Sequence, residues 1–250
     1  MDYWLEVALV FALCFLLGGL ARVRNVLTTG GSVLAIVVGL VIGLAGGLSW
    51  VILLLIFLVT SFAATKYRFA LKKERGLQEG VRGERDWENV LASGLVPVII
   101  AIMSYENDYY PTFDRSIGTT LFLCAVAIAA ADTVASELGI LSRKTWLITT
   151  GKRVRAGTDG GVSGLGQLWA FIAALYTGAV GIVVLGYFDA ALEFDWWLPI
   201  FVAMIGFVGC QFDSVIGATI ERRGYVSKLT NNLMSIASGT ILAWVMIWLI

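Results

Sequence analysis

Three acids stand where acids are costly. In "CAVAIAAADTVASELG" (124–139), Asp132 follows eleven uncharged residues, Leu121 to Ala131, and Glu137 comes five residues later. In "GCQFDSVIGATIERRG" (209–224), Asp213 ends a second apolar run. A carboxylate at membrane depth costs several kcal/mol unless it is paired or bound to a cation, so each is a candidate functional group. On a helix, Asp132 and Ser136 share one face, and Thr133 and Glu137 share the next. Ala131, Ala135 and Gly139 keep that helix slim, and Ser214, Gly217 and Ala218 repeat the design beside Asp213. Carboxylate oxygens with few other ligands, in a chain with no histidine, suit a hard cation such as Mg2+. The competing reading is simple ion pairing with basic residues of the flanking loops, and Glu137 lies nearest to them.

A second chemistry sits close by. "ITTGKRVRAGTDGGVSGLG" (148–166) holds Lys152, Arg153 and Arg155, then Gly157, Thr158, Gly160, Gly161 and Ser163. Glycines let backbone N–H groups approach a polyanion. Thr158 or Ser163 can cap the next helix, whose N-terminus attracts phosphate. Lys152 and Arg153 would neutralise phosphate charge. The stretch is not a Walker A loop, since no GxxxxGK[ST] occurs. A plain flexible basic loop is the alternative. "GVRGERDWENVLASG" (80–94) offers Arg82, Arg85 and Asn89 as a clamp for a second phosphate, against a solvated linker as the default. "LTNN" (229–232) adds Asn231 and Asn232, which could equally cap a helix.

These residues need a scaffold, and composition says which kind. The 250 residues are 58% hydrophobic and 14% charged. Soluble domains run nearer 45–50% and 25%, so this is a polytopic membrane protein. Apolar runs long enough to span a bilayer lie at about 4–21, 29–46, 48–65, 90–105, 117–137, 163–186, 197–220 and 233–250. They are continuous rather than alternating, which argues for helices over a barrel. The expected fold is therefore all-α, a single integral membrane domain over 1–250 with about eight transmembrane helices. Its two long loops are 66–90 and 138–162. The first run opens with Asp2 and Glu6 and reads as a retained span, not a signal peptide.

Eight spans put 17 of the 18 basic residues on one side, with only Arg115 opposite. That side is then cytoplasmic, in a cell membrane, and both termini face out. Glu106, Asp108, Asp114, Asp189, Glu193 and Asp195 fall in outer connectors. Trp4, Trp50, Trp196 and Trp197 fall near outer span ends, as an aromatic belt would. Gly39 and Gly43 suit close helix packing. Net charge is zero, which gives no attraction to nucleic acid. Cys14, Cys124 and Cys210 are scattered in apolar runs and read as small buried hydrophobes. Homo-oligomerisation stays open.

All three acids, the Gly/Lys/Arg loop and the asparagines meet one membrane face, beside apolar helices that can hold a lipid chain. The combination reads as an enzyme moving phosphate between a nucleotide and a lipid.

"RDWENVLASG", "AADTVASELG", "GTDGGVSGLG", "FDSVIGA" and "LTNN" occur in that order, over about residues 20 to 245. Their order and wording resemble the membrane family that contains the phytyl-phosphate kinases of vitamin E biosynthesis, itself similar to the CTP-dependent polyprenol kinases. The resemblance implies an Mg2+-dependent reaction of a nucleoside triphosphate, CTP foremost, with an isoprenyl (phytyl or geranylgeranyl) monophosphate to give the diphosphate. It places nucleotide and metal at Asp132, Glu137, Lys152, Gly157, Thr158, Gly160, Gly161, Ser163 and Asp213, with Asn89, Asn231 and Asn232 also in the site. Ser93 stands where the family pattern has an asparagine, and Glu221 where it has glutamine.

On this reading Asp132 and Asp213 hold Mg2+ and Glu137 a second ion or Lys152. Lys152, with Arg153 or Arg155, stabilises the transferring group. Arg82 and Arg85 hold the acceptor phosphate. The prenyl tail lies between the fifth, sixth and seventh spans. Cytidylyl transfer to a lipid phosphate needs nearly the same parts. An ion-coupled transporter also carries intramembrane acids and Gly-broken helices.

Overall fold

A computed structural model of the protein describes residues 3–105, 115–188 and 196–249. The helices in chain order are α1 (Tyr3–Val23), α2 (Thr29–Gly46), α3 (Leu48–Lys66), the short α4 (Phe69–Glu74), α5 (Trp87–Tyr105), α6 (Arg115–Gly139), α7 (Gly164–Phe188), α8 (Leu198–Thr219) and α9 (Lys228–Leu249). All except α4 are long and apolar enough to cross a membrane, eight among the described residues. In hydrocarbon a helix satisfies its own backbone hydrogen bonds, so long apolar runs can adopt little else. The acidic outer connectors named above lie outside the described residues.

Helix α6 is the axis of the bundle. Every residue from Leu121 to Ala131 is buried, and α3, α5, α7, α8 and α9 all pack on it. Small residues set the spacing. A Cβ on Gly206 of α8 would lie 2.7 Å from the Ala174 Cβ of α7 and 3.1 Å from the Ala127 Cβ of α6. A Cβ on Gly209 would lie 2.6 Å from Ile128. Helix α1 docks on α2 in the same manner, with Gly39 against Cys14 and Gly43 against Val10. All three cysteines are buried and unpaired. Trp50 departs from the belt expected of it. It is 1% exposed and stacks on Phe122 with ring centroids 4.0 Å apart, because the N-terminal turn of α3 faces α6 rather than lipid. Trp4 and Trp196 are exposed.

The long loop after α6 is ordered. It carries a small antiparallel sheet of β1 (Thr145–Leu147), β2 (Arg153–Val154) and β3 (Gly161–Val162), in the order β2-β1-β3. Gly151, at φ +64°, turns the chain between β1 and β2. Threonine, tryptophan and valine favour extended backbone, and cross-strand pairing here replaces a flexible loop. Seven residues in strands leave the fold all-α in character.

Candidate functional site

Asp132 sits about two turns before the end of α6, and Asp213 occupies a similar place on α8. The glycine contacts of α8 against Ala127 and Ile128 draw these helices together one turn deeper in the bundle. As a result the two carboxyl groups are in hydrogen-bond contact. Two carboxylates held together away from bulk water need positive charge between them, whether a proton or a metal ion. The nearest cations acting on Asp132 are Lys228 and Arg85.

A polar cavity opens beside the pair. From α6 it takes Asp132, Thr133, Ser136 and Glu137, and from α9 Lys228, Asn232 and Ser235. Arg85, Asn89 and Ser93 close the third side, and Glu79 the rim.

Arg85 is fixed through its backbone. Its N–H donates to Val26 O at 3.0 Å, and its carbonyl accepts from Thr28 N–H at 2.9 Å. Thr28 also caps α2 by accepting from Gly31 N–H at 3.1 Å. Gly31 has to be glycine for this approach, since a Cβ there would lie 2.8 Å from the Arg85 carbonyl oxygen. The guanidinium reaches inward, Nη1 to Thr133 Oγ1 at 3.4 Å and Nη2 to Thr65 Oγ1 at 3.5 Å. Its Nε is buried with no hydrogen-bond partner. Burial pulls this guanidinium below the usual arginine pKa, and the carboxylates of Glu137, Glu79 and Asp132 oppose that pull. Arginine is the cation that survives such a setting charged.

Glu137 is placed differently from the two aspartates. Lys72 of α4, 1% exposed, pairs with its Oε2 at 2.6 Å. Thr65 donates to Oε1 at 2.8 Å. Lys72 also donates to the carbonyls of Ala64 at 2.8 Å and Thr65 at 3.1 Å. The pair pins α4 beneath α3 and α6, and Lys72 rather than Lys152 is the partner of Glu137. Among the described residues, no three acids or cysteines gather as a ready-made metal cage.

Asn89 donates to Glu79 at 3.2 Å and to Asp86, the cap of α5, at 3.1 Å. Glu79 meets Lys228 at 3.5 Å. Asn232 lines the cavity. Asn231 instead ties helices together, donating to Glu221 Oε2 at 2.7 Å and to the Asp213 carbonyl at 3.2 Å. Arg82 is exposed beyond the cavity, its carbonyl accepting from Lys66 and its N–H donating to Glu84.

The Gly/Lys/Arg loop stands at the edge of this arrangement. Lys152, Arg153 and Arg155 are exposed and do not line the cavity. Thr158 donates to the Arg155 carbonyl at 2.8 Å. Ser163 caps α7, accepting from Gly166 N–H at 3.1 Å, and donates to the Gly139 carbonyl at 3.2 Å. Gly157 packs on Leu77. Gly160, at φ +71°, lies against Gly217 and Ala218, and a Cβ would fall 2.3 Å from the Ala218 Cβ. The loop is thereby docked on α8 about one turn beyond Asp213.

Three polar residues that line the cavity escaped the sequence reading of the site, Glu79, Lys228 and Ser235, as did Lys72, the buried partner of Glu137. For Lys228 a signal existed. It is the first residue of α9, where the helix dipole disfavours a cation, so a nearby negative group is called for.

Eight membrane-crossing helices with a charged cavity sunk into one end define an integral membrane protein with an intramembrane polar site. The chain belongs to the family described as integral membrane protein DUF92, matched over residues 12–243. It is 32% identical over 197 residues to an uncharacterised membrane protein of Methanocaldococcus jannaschii, covering 78% of this chain and 75% of that one. It is 32% identical over 218 residues to protein PGR of Arabidopsis thaliana, covering 82% and 75%. It is 28% identical over 238 residues to protein VTE6, chloroplastic, of the same plant, covering 94% and 69%. No solved structure matches it.

Proposed function

We propose that this protein is a membrane kinase that transfers the terminal phosphate of a nucleoside triphosphate, with CTP the favoured donor, to an isoprenyl monophosphate. The observation that carries the reading is the Asp132–Asp213 contact, with Asp132 and Arg85 lining one cavity. Such a site joins a place for a cation to a place for a phosphate. The relationship to protein VTE6 and the motifs of the phytyl-phosphate kinase family support the reaction class.

The two touching carboxyl groups are hard oxygen donors of the kind Mg2+ takes, and the Ser136 hydroxyl and Asn232 amide line the cavity beside them. Asp132 and Asp213 would hold the ion, which when bound supplies charge neutralisation to the donor phosphates. Glu137, engaged by Lys72 and Thr65, serves instead to position α4 and the Thr65 hydroxyl under Arg85.

The acceptor needs no protein nucleophile. A phosphate oxygen of the isoprenyl monophosphate attacks the terminal phosphorus, the bond from that phosphorus to the bridging oxygen breaks, and a nucleoside diphosphate leaves. The protein contributes alignment and charge. Arg85 holds the acceptor phosphate, Asn89 fixes Glu79 and Asp86 beside it, and Lys228 and Asn232 face it from α9. Lys152, Arg153 and the 157–161 backbone take the nucleotide on the solvent side.

Product analysis tests this. Purified protein with Mg2+, each of CTP, ATP, GTP and UTP in turn, and phytyl or geranylgeranyl monophosphate should yield isoprenyl diphosphate and nucleoside diphosphate. Released pyrophosphate with a nucleotide-linked lipid would replace the kinase with cytidylyl transfer. No turnover, with ion flux in liposomes, would replace it with transport.

A further inference from the structure

A second cavity, of about 110 Å3, lies among α1, α2, α3 and α5 and is almost wholly apolar. It shares Arg85, Asn89 and Ser93 with the polar cavity, so the two meet at those side chains. From that junction it runs along α3 from Ser61 to Val51, ten residues and so about 15 Å at 1.5 Å per residue. Cys14, Gly39 and Val51 lie at its far end. Leu17, Ala35 and Leu58 on its walls are only half-buried, so it is reached from the lipid side. Along that length the lining is apolar away from the mouth, which suits an extended hydrocarbon chain.

Two polar atoms at its mouth lack partners. Arg85 Nε and Ser61 Oγ are both buried and unbonded, and Ser61 is 1% exposed. An unmet donor in an apolar wall is costly unless a ligand completes it. The gap between α6, α7 and α8, expected above to take the tail, is filled by close packing. Ala131, Ala170, Ala174, Ala203 and Cys210 form a buried cluster there.

We infer that the α1–α2–α3–α5 slot seats the hydrocarbon tail of the acceptor lipid, with its phosphate completing Arg85 Nε and Ser61 Oγ, and that Leu17, Ala35 and Leu58 govern tail preference. This rests on the proposed acceptor, an isoprenyl monophosphate, but not on the donor or on turnover.

The test uses the full chain in nanodiscs without nucleotide. A C20 isoprenyl monophosphate carrying a terminal diazirine is photolysed, and labelled peptides are mapped. Labelling should fall on α1, α2 and α3 near Cys14, Gly39 and Val51, and unlabelled phytyl monophosphate should compete for it. Ala35→Phe should cut C20 labelling about tenfold while sparing a C10 analogue, the scale of adding bulk to an apolar pocket. If that variant does not fold, Leu58→Ala should shift preference towards bulkier tails. Competable labelling on α6, α7 and α8 would overturn the slot and leave the kinase standing. Folded protein with no competable labelling would overturn the slot and the isoprenyl acceptor together.

Discussion

Helix α6 carries two acidic clusters little more than a turn apart, and they are built on opposite principles. Around Glu137 every demand is met: Lys72 and Thr65 take its two oxygens, and Lys72 gives its remaining donors to two carbonyls. Around Asp132 the nearest partner is another carboxyl group, and the facing arginine keeps an unbonded Nε. The first cluster is closed and holds α4 in place. The second sets two carboxyl groups against each other beside an arginine with an unbonded Nε, as expected of groups that meet a cation and a phosphate. Saturation, more than depth or charge, separates a structural acid from a reactive one here.

The sharpest way to break this comparison is to neutralise one member of each cluster. Asp132→Asn should lower turnover about a thousandfold, as loss of a preorganised charge at a reacting phosphate does. Its thermal stability in detergent should hold or rise, since a carboxyl–carboxyl contact is relieved. Full activity in that variant would remove the acid pair from the chemistry. Lys72→Met should do the reverse. An unpaired buried carboxylate costs about 3–5 kcal/mol, so the melting temperature should fall steeply. Adding Glu137→Leu to Lys72→Met should recover most of the loss, because a hydrophobic pair can replace a closed ion pair. A stable Lys72→Met single variant would show that Glu137 is not held as described.

Part of this difference was legible in the sequence. The eight spans follow from run length alone, since hydrocarbon leaves the backbone no other solution. Asp132 and Asp213 stood out because acids inside apolar runs are rare, and the small residues around them announced close helix approach. The partner of Glu137 was not legible. Lys72 and Lys73 are neighbours of identical type, and only the fold of α4 onto α3 turns one inward and leaves the other exposed. Glu79 sits in a linker of mixed charge where no periodicity marks it. The glycines of 157–161 suggested phosphate, yet Gly160 is used for docking on α8 and Gly157 for contact with Leu77. A glycine signals close approach without saying what approaches.

A smaller effect separates shape from charge within the open cluster. Arg85→Lys keeps one positive charge but loses the planar fork and Nε. A lysine cannot reach Thr65, Thr133 and a phosphate at once. Acceptor KM should rise about ten- to a hundredfold, with nucleotide KM little changed. Equal losses for both substrates would move Arg85 from the acceptor to the transferring phosphate.

The smallest effect belongs to the exposed loop, and it sharpens the comparison furthest. Lys152 and Arg153 carry the same charge as Arg85 but stand in water, where a Debye length of about 8 Å at physiological salt screens them. Lys152→Ala should therefore raise nucleotide KM only about two- to fivefold, and most of that rise should vanish at high ionic strength. Its stability should match the parent, since its side chain anchors nothing in the sheet. A loss as large as that of Asp132→Asn, persisting in high salt, would require the β-loop to fold over the acid pair during the reaction. Gly160 would then be the hinge to test next, because it joins the loop to α8 one turn from Asp213.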